Sequence, residues 1–319
     1  MRAFQISDYG CDPKLVEVPK PAPSAGELLV RISAAGVNFA DLLMIQGEYQ
    51  ERPHPPVTLG METAGIVERL GECVTGFEVG QPVAVYGGQG GMAEWGCFPE
   101  NRVVALPPHM PLDIAAGFLI TYGTSYLALQ RRARLMQGET LLILGAAGGV
   151  GLTAVEIGKA MGARVIASAR GSEKLAIAKS AGADHLIDSD KDDLRDAVKA
   201  LGGADVVYDA VGGDQFRAAL RCTNPEGRIL AIGFASGDVP QIPANHLLVK
   251  NVDVIGVNFG AYLSFNPKAL AQSFTALFDL YTQGKLHPHI SHRLPLEQAQ
   301  DALDLLRNRT STGKVILTV

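Results

Sequence analysis

Leu141–Leu152 reads LLILGAAGGVGL. Four apolar residues are followed by a run that is almost all Gly and Ala. Such a run is poor material for a core, so its bareness asks what approaches the backbone there. Upstream, TLLIL from Thr140 reads as a buried strand. Downstream, LTAVEIGKAMGA reads as a helix, with Glu156 and Lys159 expected on its outer face. Between them lies Ala146-x-Gly148-x-x-Gly151. Small residues there make the turn and let a pyrophosphate reach backbone amides, and the last Gly lets helix and strand pack closely. The helix start adds unpaired N–H groups and the positive end of the helix dipole. The competing reading is a tight strand-to-helix turn that binds nothing.

The flanking pattern favours the nucleotide reading. Through residues 140–257, β-branched runs (TLLILG, RVIASA, HLID, DVVYDAV, RILAIGF, VDVIGVNF) alternate with helix-like stretches. That is the layout of parallel βαβ units, whose right-handed crossovers place helices on both sheet faces. Residues 1–120 differ: ELLVRISAAGV, TAGIVERLG, QPVAVYG and NRVVALPP read as strands joined by tight Gly/Pro turns. After residue 260 the chain turns helical. NPKALAQSFTALFDLYTQG offers Asn266 as N-cap, Pro267 at the first helical position and Gly284 as a stop. A second helix is expected over roughly 296–309, then a last strand, KVILTV, returning to the first domain.

With 319 residues the chain suffices for two domains. Apolar residues make up 47% and charged residues 19%, an ordinary globular balance, and the net charge of −5 offers no basic face for nucleic acid. No apolar run approaches the ~18 residues of a membrane span, and MRAFQISDYG lacks a signal-peptide layout. Cys11, Cys73, Cys97 and Cys222 are scattered, which argues against a disulfide framework or a cysteine zinc site and fits a reducing cytoplasm.

An NAD site usually carries an acid about twenty residues past the Gly motif, held to the ribose 2′-hydroxyl. Here VIASARGSEK puts Ser168 and Arg170 in that region, with Lys174 beyond. A guanidinium and an ammonium would pair with a 2′-phosphate, which predicts NADPH. Glu173 is the one acid close by in sequence. Tyr281 and Lys285 have the Tyr-x-x-x-Lys spacing of short-chain dehydrogenases, but Gly284 should end the helix between them, so the match is read as coincidence. The HPHISH segment (287–292) reads as surface histidines rather than a metal cluster.

AAGVNFADLLMIQGEY (34–49), LGMETAGIVERLG (59–71), GAAGGVGLTAVEIGKAMGARVIA (145–167), DVVYDAVGGDQF (205–216), GRILAIGFASG (227–237) and TGKVIL (312–317) together resemble the medium-chain dehydrogenase/reductase superfamily, in its zinc-free, zeta-crystallin-like quinone oxidoreductase branch. The resemblance implies an α/β fold: a GroES-like β-rich catalytic domain (1–120 with 260–319) and a Rossmann-type doubly wound domain (121–259). Zinc-containing alcohol dehydrogenases place a cysteine where this chain has Asn38 and a histidine where it has Met61, and add a four-cysteine lobe near 85–105, where this chain has one cysteine. Amide, thioether and a lone carboxylate make no sound zinc shell, so no metal is expected, and Glu62 reads as a buried structural acid.

Without that Lewis acid, hydride delivery to an electron-poor carbon fits better than alcohol oxidation. The resemblance implies Tyr49 and Asn38 as catalytic residues that also contact the cofactor. Tyr49 is either a proton donor or a wall of the substrate pocket; Asn38 is a hydrogen-bonding partner of cofactor or substrate, or a turn cap. Asp41, four residues before Ile45, reads equally well as a helix acid and is assigned no catalytic role. The remaining cofactor contacts it implies are Thr121, Ala147, Gly148, Gly149, Val150, Gly151, Ser168, Arg170, Lys174, Ser189, Val211, Gly212, Gly233, Phe234, Asn258, Phe259 and Lys314. Ser189 stands where relatives carry Tyr or His, and Lys314 reaches the cofactor, closes the cleft between the two expected domains, or lies at the surface. The leading function is NADPH-dependent reduction of a small quinone or enone. The alternatives are a 2-enoyl-thioester reductase and a non-catalytic, crystallin-like or nucleic-acid-binding NADPH-binding protein. The apolar segment VDVIGVNF at a sheet edge predicts a homodimer.

Overall fold

The Gly- and Pro-rich first third of the chain folds as strands β1 (Arg2–Ile6), β2 (Lys14–Glu17), β3 (Glu27–Val37), β4 (Val57–Thr58), β5 (Glu62–Leu70), β6 (Pro82–Tyr86), β7 (Trp95–Pro99) and β8 (Val103–Ala105). The computed structural model describes residues 1–319. The alternating segment supplies β9 (Thr140–Leu144), β10 (Arg164–Ala169), β11 (His185–Asp188), β12 (Ala204–Asp209), β13 (Thr223–Ala231) and β14 (Asp253–Gly256), and the C-terminal end adds β15 (Ile290–Pro295) and β16 (Lys314–Thr318). The chain divides into two compact units, Met1–Ile120 with Pro288–Val319, and Thr121–His287.

In the terminal unit, β3 is the hub. It pairs antiparallel with β5, β7 and β16, in a sheet ordered β15-β16-β3-β5-β6-β8. Leu28, Val30, Ile32, Val67, Val83, Val85 and Phe98 form one buried cluster of this unit. A second cluster joins Ile6, Val37, Met44, Ile45 and Leu59 to Leu303, Val315 and Leu317 from the chain's end. The expected return of KVILTV is therefore found: Val315 pairs with Val37 and Ile316 with Gly36. That register sets Lys314 against the turn that follows β3.

In the parallel-sheet unit the strand order is β11-β10-β9-β12-β13-β14, and every pairing is parallel. All five residues of β9 are buried, as a central strand covered on both faces must be. The order reverses at β9, where a doubly wound sheet opens a crevice at its carboxyl ends.

Three expectations need correction. The second crossing between units falls after His287, not after residue 259. The Pro267–Thr282 helix packs Phe274 edge-on to Phe259 at 6.2 Å between centroids, and the bare face of Gly123 admits both rings. The helix itself is as expected, with the Asn266 side chain accepting from Ala269 N–H. Glu156, expected to face outward, is 6% exposed. It accepts a hydrogen bond from the Tyr122 hydroxyl and one of 3.1 Å from the His287 N–H, because the segments at both chain crossings cover that side of the helix. Burial pushes its carboxyl pKa up. Finally, the last helix is shorter than expected: Leu296–Gln298 is a 3-10 turn and the α-helix runs Ala299–Arg307. No helix is long and apolar enough to cross a membrane.

Candidate functional site

Past Leu144 the chain turns at Gly145, whose φ of +68° lies in the left-handed region that favours glycine. The turn closes through Gly148 N–H to Gly145 O at 3.0 Å and is pinned to the next strand by Ala146 N–H to Ser168 O at 3.0 Å. The Gly149–Ala160 helix follows directly. The glycines here are bare for different reasons. A Cβ on Gly151 would lie 2.2 Å from Gly145 O, so the chain's own packing demands glycine. A Cβ on Gly148 would meet nothing closer than 3.4 Å. Gly148 is exposed, and internal packing does not account for its lack of a side chain. Ala147 is buried against Ala169 and Leu175. Below the turn, the Ser125 hydroxyl donates to Val150 O at 2.9 Å and meets the hydroxyls of Thr153 and Tyr208 at 2.8 and 2.9 Å. Thr153 in turn donates to Thr121 O at 3.1 Å, which ties the buried Thr121 to the same helix.

The next strand end carries Ser168, 1% exposed, whose Oγ has no hydrogen-bond partner. A buried hydroxyl left unpaired costs ~1–3 kcal/mol, which marks a place where a ligand atom would be gained at low cost. Arg170 is exposed at the N-cap of the Gly171–Ser180 helix, and its side chain makes no capping bond. Lys174, half-buried, follows one turn later, and Ser189 lies beyond β11 with its N–H on Ala169 O at 3.0 Å. Here the structure adds an acid that the local sequence did not show. Asp188, opposite Ala169 on β11, accepts from Gly171 N–H at 3.0 Å and Asp190 N–H at 3.2 Å. The Gly171 N–H foremost, and Lys191 with it, hold its pKa below the usual carboxylate value. Its charge is thus committed to the helix start rather than facing Arg170 as a partner.

Asp209, 1% exposed at the end of β12, carries no sequence signal of its role either. One of its oxygens accepts from Val211 N–H at 2.7 Å and Gly212 N–H at 2.9 Å, which folds that turn. Burial pushes its pKa up. Gly233 is half-buried and Phe234 exposed beyond β13. Past β14, the exposed Asn258 accepts from Ala261 N–H at 3.1 Å, while the Phe259 ring belongs to the core. The expected contacts in the Gly motif, at Arg170, Ser189, Val211–Gly212, Gly233–Phe234 and Asn258 thus lie just past the carboxyl ends of six different parallel strands.

The terminal unit holds a cluster of another kind. Asn38 ends the turn after β3 and starts the Phe39–Ile45 helix. Its side chain faces the Asp41 N–H in a capping box at the helix start, and the Asp41 side chain accepts from the Asn38 N–H in return. Its Oδ1 accepts from Lys314 Nζ at 2.9 Å, and its Nδ2 donates to Gly36 O and Glu62 Oε2, both at 3.3 Å. Lys314, expected at the cofactor or the surface, is 6% exposed, and its ammonium also donates to Val37 O and Glu62 Oε2 at 3.1 Å each. Glu62 is 0% exposed, as expected of a buried acid, and its other oxygen accepts from Ile120 N–H at 2.8 Å. Asp41, which reads as a plain helix acid from its spacing, is fully buried and folds the helix start back, accepting from Asn38 N–H at 2.8 Å and Gly60 N–H at 3.3 Å. Burial pushes its pKa up to about 6 against the pull of these bonds and of Lys314. Tyr49 is half-buried beyond the helix. Burial first, then the charges of Glu51 and Asp41, raise its phenol pKa, so it holds its proton at neutral pH.

This donor set does not fit zinc. The ammonium of Lys314 already occupies the acceptor face of Glu62, and Asn38 and Met61 supply an amide and a thioether. No group of three or more His, Cys, Asp and Glu side chains is placed to hold a metal ion. In HPHISH, His289 pairs with Thr312 and His292 with Ser291.

Residues 24–108 match the family model described as an alcohol dehydrogenase GroES-like domain, and residues 149–277 the model described as a zinc-binding dehydrogenase. A quinone oxidoreductase-like protein 2 homolog from Nematostella vectensis is 38% identical, over 99% of this chain and 88% of its own. Among solved structures, the Pseudomonas syringae quinone oxidoreductase superposes with a TM-score of 0.93 at 33% identity, covering 100% of this chain and 99% of its own. The Escherichia coli quinone oxidoreductase, solved in complex with NADPH, does so with a TM-score of 0.92 at 28% identity over 100% of both chains. The two folds, the glycine turn and the full-length similarity lead to one conclusion: the chain belongs to the zinc-free quinone oxidoreductase family of the medium-chain dehydrogenase/reductase superfamily.

Proposed function

We propose that the chain is an NADPH-dependent oxidoreductase that reduces quinones or other α,β-unsaturated carbonyl compounds without a metal. One observation carries the cofactor reading: the carboxyl edge of the parallel sheet presents an exposed, uncrowded Gly148, the unpaired buried hydroxyl of Ser168, and the exposed guanidinium of Arg170. Backbone N–H groups at Gly149 and Val150 would take the pyrophosphate. Ser168, Arg170 and Lys174 would take the 2′-phosphorylated ribose. The Val211–Gly212 turn and Gly233 would line the rest, and the NADPH complex of the Escherichia coli relative supports this reading.

NADPH, when bound, supplies the hydride. The protein's part is to bind, orient and donate a proton. Tyr49 holds a neutral phenol that can donate a hydrogen bond to the oxygen on which negative charge develops, and then its proton. A quinone or enone accepts at an electron-poor carbon and needs no Lewis acid, which suits a site whose cation is an internal ammonium. The unpaired edge of β14 supports a twofold dimer as the working assembly.

The test is steady-state NADPH oxidation with 1,2-naphthoquinone and with crotonyl-CoA. Turnover of the quinone, with a loss in Tyr49→Phe, is expected. Preference for the thioester would move the assignment to the enoyl reductases. NADPH binding with no turnover of any quinone or enone would leave only a binding protein.

A further inference from the structure

The Gly171–Ser180 helix begins without a cap of its own. The first N–H groups of a helix have no partner inside it, and Ser, Thr, Asp or Asn at the N-cap ordinarily supplies the acceptor. Here Arg170 holds that position, and its side chain makes no capping bond. A guanidinium has only N–H donors and no acceptor, and its charge meets the positive end of the helix dipole. A side chain suited to a phosphate is thus the wrong one for the backbone position it occupies. Gly171, next in the chain, has a φ of +75°, and a Cβ there would meet nothing within 4 Å, so packing does not hold the turn from that side.

The missing acceptor comes from the neighbouring strand. β11 runs parallel to β10 with Asp188 opposite Ala169, which brings its carboxylate to the turn where Arg170 lies. Asp188 Oδ1 accepts from the first helical N–H, that of Gly171, at 3.0 Å and from Asp190 N–H at 3.2 Å, while Lys191 Nζ lies 3.3 Å from Oδ2. Asp188 is itself held in place. Its N–H donates to the Asp192 carboxylate at 2.9 Å, and its carbonyl accepts from Lys191 N–H at 3.0 Å and Asp192 N–H at 2.8 Å. We infer that Asp188 is a positioning residue for recognition of the 2′-phosphate: it caps the Gly171–Ser180 helix from across the sheet and so fixes the turn from which Arg170 and Lys174 reach that group. This role rests on the NADPH site proposed above and lies wholly within the parallel-sheet unit. The carboxylate is spent on the protein, so Asp188 acts through Gly171 and not on the phosphate itself.

The variants to compare are Asp188→Asn, Asp188→Ala and Asp188→Ser. Asparagine caps a helix about as well as aspartate; it keeps an oxygen for Gly171 and removes the charge. Alanine removes the oxygen. Serine keeps a polar group one bond too short to span the same gap, and serves if the alanine protein does not fold. Affinities for NADPH and NADH are read by fluorescence titration, and backbone mobility at residues 171–174 by hydrogen–deuterium exchange. In Asp188→Ala and Asp188→Ser, NADPH should bind roughly fivefold more weakly, the weight of one lost cap, while NADH affinity holds and exchange at 171–174 quickens. Asp188→Asn should keep NADPH affinity within about twofold of the parent's. A cap with a merely structural role would move both cofactors together, so the ratio of the two affinities is the decisive reading.

An unchanged ratio in a folded Asp188→Ala or Asp188→Ser protein overturns the role. Tighter NADPH binding in either does so as well, since it would make Asp188 a repelling charge. A loss in Asp188→Asn as large as in Asp188→Ala would put the effect in the charge and not in the capping bond, and overturns it too. A parent that prefers NADPH, with a ratio indifferent to Asp188, sinks this role alone. A parent that binds NADPH no better than NADH, or binds neither, sinks the cofactor reading and this role with it.

Discussion

The turn after β9 and the cluster around Lys314 are built on opposite principles. The turn keeps its polar groups unspent: helix-start amides, the lone Ser168 hydroxyl and the exposed Arg170 guanidinium. It is specified by neighbours in sequence. In the cluster, every polar group named has a partner within the unit, and those partners come from positions 36–41, 60, 62, 120 and 314. An unspent surface binds by offering contacts, so changing it should alter affinity more than stability. A spent cluster holds a shape, so changing one member should alter stability first.

The contrast can be broken most forcefully at the ion pair. Lys314→Met should cost ~3–5 kcal/mol in urea unfolding, because it leaves a buried charge without compensation. The double variant with Glu62→Gln should recover most of that loss. Equal instability of the single and double variants would show that packing, not charge pairing, holds the cluster together.

Next in size is the pH response of Asp41. Its pKa is raised from 3.8 to about 6 on folding. The folded state therefore binds this proton more tightly than the unfolded chain does. The stabilising contribution is complete below about pH 4 and is lost as pH rises through about 6. At ~1.4 kcal/mol per pKa unit the full span is about 3 kcal/mol. Asp41→Asn should flatten stability over that window, and an unchanged slope would refute the assignment.

On the unspent side, Arg170→Ala should weaken NADPH by ~1.5–3 kcal/mol, the range of a hydrogen bond to a charged group, and leave NADH nearly unchanged. Equal losses for both cofactors in calorimetric titration would remove the 2′-phosphate role. The smallest expected effect is at Ser168. Since its hydroxyl is unpaired, Ser168→Ala should leave the cofactor-free protein no less stable, yet weaken NADPH by ~0.5–1.5 kcal/mol. A stability loss with no change in affinity would make Ser168 a structural residue and erase the contrast at that position.

The turn was legible because its determinants lie within one strand, one turn and one helix, and because glycines packed between a strand and a helix serve close approach and little else. The same local logic gave the Asn266 cap, the edge position of β14 and the return of the last strand. It failed where burial comes from a distant segment. Glu156 falls on an apparently outer helix position, and only the placement of Tyr122 and His287 shows that this side is covered. Asp188 is hidden from any reading of the stretch around Arg170 because it reaches that stretch across a strand pairing. Asp41 has the spacing of an ordinary helix-start acid, and nothing local reveals that Gly60 closes over it.

By itself, the sequence determined the order of elements, the two architectures, the bare nucleotide-type turn and the unsuitability of Asn38 and Met61 as zinc ligands, because each depends on residue type and short spacing. Tertiary structure alone decided that Lys314 is buried, that it pairs with Glu62 and that it turns the Asn38 amide to face it. Those contacts join residues 276 and 252 positions apart, and such a pairing exists only once the antiparallel register of β16 on β3 is in place.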